Sequence, residues 1–222
     1  MGSMHIRPLN YLKQNKHLFL LLFWPFQTVW YALLQEHARE MPRYFSVYCK
    51  LDSYIPFIPI FVIPYLLWYA YLAVTMGYFA FFDKQGFYRL CLFMFTGITL
   101  CLTFCTVFPN GHDFRPTEFE TDNIFVELVK WIYRCDPSCV TILPSMHVFN
   151  SVASHIAITK SARLSRHRWL VRGSLIYVVL VCLSTVFIKQ HSVIDVAAAL
   201  VLIISLYFFA YKTKFPFFSQ NK

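Results

Sequence analysis

The stretch "WLVRGSLIYVVLVCLSTVFIKQHSVIDVAAALVLIISLYFFAY", residues 169–211, is two apolar blocks joined by a short polar turn. The first block, 169–188, carries a single charge, Arg172, near its beginning; the second, 193–211, carries only Asp195, in its first turn. A helix needs roughly 20 predominantly apolar residues to cross the hydrocarbon of a bilayer. Two such blocks separated only by residues 189–192 read as a hairpin of membrane helices.

Outward from this hairpin, four more blocks of the same kind occupy 18–34, 56–82, 90–108 and 143–159. The sequence is therefore expected to form an all-α integral membrane protein, a six-transmembrane helix bundle within a single domain, 1–222. The block at 56–82 contains Pro56, Pro59 and Pro64 and should bend or start late. Composition agrees with this class: 58% of residues are hydrophobic and 14% are charged, against about 25% charged in soluble domains. Trp24, Trp30 and Trp68 suit interfacial belts or interhelix packing. No repeat and no low-complexity linker is visible. The first block is too long for a signal-peptide core and lacks a small-residue cleavage site, so no cleaved leader is expected. The net charge of +9 comes from basic residues scattered between the blocks, which reads as membrane-flanking charge and excludes nucleic acid as a partner.

Six spans with the N-terminus inside place thirteen of the 20 Lys and Arg residues on the inner side and seven on the outer. The basic excess is then inside, as the positive-inside rule expects. Arg163, Arg166, Arg168 and Arg172 decide the matter, because their loop is short. This orientation puts both termini in the cytoplasm, most simply at the plasma membrane. It also brings Arg115, Ser145, His147, Lys189, His191 and Asp195 to one depth at the outer face, although they come from four separate segments.

The long outer loop, 109–142, holds six of the 11 acids. Within it, "DNIFVELVKWIYR", 122–134, sets Glu127, Lys130 and Arg134 at helical spacing with apolar residues over the remaining surface. An interfacial amphipathic helix in this loop is expected. It either guides a lipid toward the outer face or covers the end of the bundle. Cys91, Cys101, Cys105 and Cys182 lie in apolar blocks as small packing residues. Cys135 and Cys139 share the polar loop, where their spacing permits a disulfide or half of a metal site; no second cysteine pair supports zinc.

Chemistry concentrates in three motifs. His191 and Asp195 stand four apart, so on a helix the carboxylate reaches the imidazole, fixes its tautomer and stabilises a positive ring. The pair either ties helices together or serves catalysis. In "LPSMHVFNS", 143–151, Pro144 suits a helix start and Ser145 its N-cap, leaving free N–H groups that attract phosphate. His147 lies in the first turn of that helix, and Ser151, Ser154 and His155 continue a polar face suited to interhelix hydrogen bonds. "FRPTE", 114–118, supplies Arg115, whose guanidinium can clamp a phosphate with two parallel bonds. Lys189 alone is an interfacial snorkelling residue; with the histidines it adds a second cation.

"FPNGHDFRP" (108–116), "PSMH" (144–147) and "STVFIKQHSVID" (184–195) resemble, in order and spacing, the three motifs of the type-2 phosphatidic acid phosphatase superfamily of membrane lipid phosphatases. The resemblance covers roughly 90–211. It implies that His191 is the nucleophile and forms a phosphohistidine, that Asp195 orients it, and that His147 protonates the leaving group. It further implies that Arg115 and the Ser145 hydroxyl hold phosphoryl oxygens, with no metal and no cofactor. Three positions depart from the family pattern: Phe108 replaces a lysine, Thr185 an arginine and Met146 a glycine. Lys189 is the candidate replacement charge. The expected activity is hydrolysis of a terminal lipid phosphate at the outer leaflet. The rivals are a phosphotransferase of the sphingomyelin-synthase kind and a non-catalytic lipid-binding or transport protein.

Overall fold

A computed structural model describes residues 15–40, 44–136 and 142–212. Most of these residues are helical, and the strands among them are one two-residue parallel pair. A tight turn over Lys16–Leu22 leads into α1 (Phe23–Glu40). Then come β1 (Phe45–Ser46), α2 (Lys50–Tyr54), α3 (Val62–Phe82), α4 (Lys84–Val107) and β2 (Asn110–Gly111). The chain continues through α5 (Ile124–Cys135), α6 (Met146–Lys160), α7 (Arg168–Phe187) and α8 (Val193–Tyr207). Five segments are long and apolar enough to cross a membrane: Lys16–Ala38, Pro59–Phe82, Lys84–Val107, Arg168–Phe187 and Val193–Lys212.

The block at 143–159 differs from expectation. It forms α6, of 15 residues, about 22 Å long at 1.5 Å per residue. That falls short of the roughly 30 Å hydrocarbon thickness. The reason is local at both ends. Pro144 and the capping Ser145 fix the start, and the chain turns at Ser161. The helix is also central rather than peripheral. Val148, Phe149, Asn150, Ser151, Ala153, Ser154, Ala157 and Ile158 are all buried, because α3, α4, α7 and α8 surround it. Phe149 lies directly over Gly97 of α4, where an added Cβ would sit 2.0 Å from the ring. Only glycine permits that approach.

The prolines act as the sequence implied. Residues 55–58 are extended, a turn covers Pro59–Phe61, and α3 starts at Val62 with Pro64 in its first turn. A single residue, Asp83, joins α3 to α4; its carboxylate accepts from Gly86 N at 2.8 Å and caps α4. The segment expected as an amphipathic helix is α5. Asn123 caps it, with the side-chain oxygen accepting from Phe125 N and Val126 N. Val126, Val129 and Ile132 are buried; Val129 and Ile132 pack with Val62, Tyr65 and Ile188. Lys130 stays at the surface, bonded to Glu127 at 2.7 Å. So α5 closes one end of the bundle, the end at which α6 and α8 begin.

Candidate functional site

The site is built at the α7–α8 turn. After α7 ends, Lys189 adopts φ 54°, left-handed backbone that costs a residue bearing a Cβ about 1–2 kcal/mol. The sharp turn lets both Gln190 N and His191 N donate to Thr185 O, at 2.9 and 3.0 Å. Ser192 then caps α8, its Oγ accepting from Ile194 N, while the Asp195 carboxylate reaches back to Ser192 N at 2.9 Å. This is a reciprocal capping box, and the Ser-x-x-Asp spacing announces it in the sequence. His191 therefore meets Asp195 from the turn before the helix, not from one helical face. His191 Nδ1 donates to Asp195 Oδ2 at 3.1 Å. Nε2 is left with the lone pair.

His147, in the first turn of α6, faces this ring. The two imidazole centroids are 5.7 Å apart at 63°. Two rings of α3 hold His147: Tyr65 stacks on it at 4.6 Å and Trp68 lies 4.3 Å away. Both histidines line a cavity of about 350 Å³, walled by α1 (Trp24, Tyr31), α3 (Tyr65, Trp68, Tyr69), α5 (Trp131) and Asp136 just after it. His147 Nε2 and Asn150 Oδ1, both from α6, have no protein hydrogen-bond partner among the described residues. The Asn150 carbonyl can accept a hydrogen bond from a guest in the cavity, and His147 Nε2 can donate or accept one according to its protonation.

The three residues expected to hold phosphate are placed differently from the histidine pair. Ser145 is fully buried. Its Oγ accepts from Val148 N at 3.4 Å and its own N–H donates to Asp195 O at 3.2 Å. It thus fixes the start of α6 against α8 and does not line the cavity. Lys189 folds away, its ammonium donating to the carbonyls of Asp52 at 2.9 Å and Ile55 at 2.5 Å. Burial pushes its pKa down, opposed by the nearby Asp52 charge. It is an anchor for the 49–55 segment, not a snorkelling or free cation. Arg115 does not line the cavity either, but it holds two residues that do, Asp136 and Gln190. It donates to Asp136 through the backbone oxygen and, at 3.3 Å, the carboxylate, and to Gln190 Oε1 at 2.6 Å. Its guanidinium lies over Tyr133 at 4.5 Å. Of the departures from the family motifs, Phe108 is half exposed and packs against Phe45 and Phe104, Thr185 lies buried beneath the turn, and Met146 lines the cavity.

Two buried residues at the site were given no role by the sequence reading. Asp52, in α2, accepts from Cys49 N at 2.8 Å, Ser192 Oγ at 2.6 Å and Val193 N at 2.9 Å. Burial raises its pKa, but these donors outweigh burial and hold the carboxyl below its ordinary value. Ser192 is thereby shared between two acids, Asp52 and Asp195. His112, from the first motif, donates through Nε2 to Gln190 O at 3.1 Å and stacks on Phe114 at 3.8 Å. Burial, against the backbone bond, pushes its pKa down to about 4. Of the other polar residues of α6, His155 makes the expected interhelix bond, to Ser174 Oγ at 3.0 Å. Ser154 Oγ is buried without a protein partner among the described residues. The Cys135–Cys139 pairing lies outside the described residues. No group of three or more His, Cys, Asp or Glu residues suited to a metal ion occurs among the described residues. Compared with known proteins, the chain matches no family model, no curated protein and no solved structure.

Proposed function

We propose that this chain is a membrane lipid phosphatase that passes a terminal phosphoryl group from a lipid to His191 and then to water. One observation carries the reading: an imidazole oriented by a buried carboxylate faces a second imidazole across a cavity large enough for a headgroup. In the first step His191 Nε2 attacks phosphorus, the lipid P–O bond breaks, and His147 gives its proton to the departing oxygen. In the second, His147 takes a proton from water, which attacks the phosphohistidine and frees phosphate. Nucleophilic catalysis of this kind needs a base held in one tautomer, which Asp195 supplies. General acid–base help contributes about 10²–10⁴-fold. The leaving oxygen and the spreading phosphoryl charge need donors. Arg115 supplies them by exchanging Asp136 and Gln190 for phosphoryl oxygens.

In the bilayer, α6 is the sixth crossing, short and sheltered by its neighbours. Helix α5 lies at the outer interface, and the basic 163–172 segment with both termini faces the cytoplasm. The plasma membrane is the compartment that fits this layout.

A specific observation favours a second reading, transfer of a phospho-headgroup to an alcohol. Among the described residues no Lys or Arg lines the cavity. Arg115 and Lys189 are both engaged by protein oxygens. A terminal phosphate carries about 1.5–2 negative charges at pH 7, whereas a phosphodiester carries one and asks less of the walls. The test is one incubation of purified protein with phosphorus-labelled phosphatidate and labelled phosphatidylcholine, each with and without added diacylglycerol or ceramide. Free phosphate from phosphatidate is the expected result, and His191→Ala abolishes it while leaving the helical spectrum unchanged. A labelled second lipid establishes transfer instead. No turnover of either lipid, or full activity in His191→Ala, overturns the assignment.

A further inference from the structure

A second cavity lies at the opposite end of the bundle from the histidine pair. It is a groove of about 340 Å³ between α3 and α7, lined chiefly by apolar and aromatic side chains and open along one side. Leu164, Trp169, Leu170 and Gly173 form one edge, and Thr75, Tyr78 and Phe79 face them. From Trp169 to Tyr177 the groove follows α7 for about 12 Å, at 1.5 Å per residue. That is close to the roughly 15 Å depth of one leaflet.

The residues interleaved with this edge are the arginines. Arg163 precedes Leu164, Arg168 precedes Trp169, and Arg172 precedes Gly173; Arg166 lies between. All four are exposed, and none forms an ion pair among the described residues. Trp169, at 73% exposure, stands at the mouth, where an indole suits the headgroup level. An apolar slot of acyl-chain depth is thus edged by residues that alternate along the chain with four exposed arginines. Basic pockets between membrane helices take anionic headgroups, and each cation near the surface contributes about 1 kcal/mol of attraction.

We infer that this groove is a binding site for an anionic phospholipid, one acyl chain lying between α3 and α7 and the phosphate resting on Arg163–Arg172. The site is independent of the histidine chemistry and lies at the other membrane face. Gly173 provides the means to test it. A Cβ built there meets nothing within 4 Å, so a large side chain fills the slot without displacing the helix. Gly77 of α3 is equally open but does not line the groove, and serves as the matched control.

The experiment is native mass spectrometry of the full chain, released from nanodiscs holding equal parts of dioleoyl phosphatidylglycerol and dioleoyl phosphatidylcholine. The wild type should retain one phosphatidylglycerol in at least tenfold preference over phosphatidylcholine. Gly173→Trp should lose that lipid, and Gly77→Trp should keep it. Raising sodium chloride from 0.1 to 1 M shortens the screening length from about 10 to about 3 Å and should weaken retention. Equal retention of the two lipids means an annular shell only and overturns the site. Undiminished phosphatidylglycerol in Gly173→Trp overturns it as well. Unchanged thermal melting of Gly173→Trp shows that a loss of lipid is not a loss of fold.

Discussion

Replacing Asp195 with asparagine separates two things that the carboxylate does for His191. Asp195 is fully buried. Its Oδ2 accepts from both His191 Nδ1 and Ser192 N, while Oδ1 has no protein partner among the described residues. An asparagine can satisfy both donors in only one orientation, with its amide oxygen at the Oδ2 position. The opposite orientation sets an NH2 group against two N–H donors. The first orientation keeps the imidazole tautomer, so Nε2 retains its lone pair. What disappears is the negative charge. A hydrogen bond to a charged group is worth about 1.5–3 kcal/mol and a neutral one about 0.5–1.5. The direct attraction between a carboxylate and an imidazolium at 4 Å is about 4 kcal/mol at the effective dielectric of a partly wet site. The barrier to phosphorylating His191 should therefore rise by roughly 1–4 kcal/mol, or about 5- to 1,000-fold in rate. That is less than the roughly 10⁴-fold loss known where an asparagine reverses the tautomer. The amide NH2 left at the Oδ1 position is buried without an acceptor, which costs a further 1–3 kcal/mol or so in stability. The assay is single-turnover trapping of acid-labile label on the protein from labelled phosphatidate, beside a thermal melt. A rate within threefold of wild type would falsify the charge role. A folded variant as inert as His191→Ala would show the amide turned the other way, and the orientation reasoned from the two donors would be wrong.

Three further expectations follow from the same frame. His191→Ala should leave no trappable label while melting as the wild type does, because the ring makes only one side-chain bond; label in that variant moves the nucleophile elsewhere. Asp52→Asn can serve either the Oδ1 or the Oδ2 donors but not both, so one backbone N–H is orphaned and the unfolding free energy should fall by about 1–3 kcal/mol; an unchanged melt refutes the cap. His112 has a folded pKa pushed down to about 4 against an unfolded value near 6.5. Below about pH 6.5 the unfolded chain takes up a proton that the folded one resists, so stability falls with pH down to about 4, by on the order of 3 kcal/mol at 1.36 kcal/mol per pH unit. His112→Gln keeps a donor for Gln190 O and removes this slope. Parallel melts at pH 7, 6 and 5 that show the same difference between the two proteins at every pH would sink it.

Most of the fold was legible because membrane helices declare themselves by composition. Five of the six apolar blocks became helices of spanning length. The sixth, α6, was legible as a helix but not as a short one. Its neighbours, not lipid, cover it, and apolar content cannot distinguish those two surroundings. Within the site, the meeting of His147 and His191 was legible from topology, since both stand at the beginning of segments that start from the same end. Lys189 was misread because a positive φ turned its side chain back onto the carbonyls of Asp52 and Ile55. Backbone handedness at a lysine leaves no mark in composition. Ser145 was read as a cap, and it is one, but its side chain lies buried at the start of α6 and does not line the cavity. Asp52 carried one local signal, Cys49-x-x-Asp52 at capping-box spacing; its contact with Ser192, 140 residues away, carried none.

The placement of Ser192 explains why so many buried polar groups are tolerated beside the bilayer. Its backbone N–H goes to Asp195 and its hydroxyl to Asp52, so one residue links the α2 segment to the acid that holds His191. Lys189 ties the same segment from the other side of the turn, and His112 props Gln190 between them. Each charge is thereby met by a fixed donor or acceptor, which is what makes a buried charge affordable. At the cavity His147 Nε2, the Asn150 carbonyl, Gln190 Nε2 and Asp136 Oδ1 have no protein partner among the described residues, and His191 lines the same space. In the proposed reaction an imidazole held by a fixed carboxylate would reorganise little, and electrostatic preorganisation of that kind is the largest single contribution in many enzymes. Loosening the frame at Asp52 should therefore slow phosphorylation more than it weakens lipid binding. An Asp52→Asn protein with normal turnover and poorer binding would mean that the frame shapes the cavity and leaves the nucleophile alone.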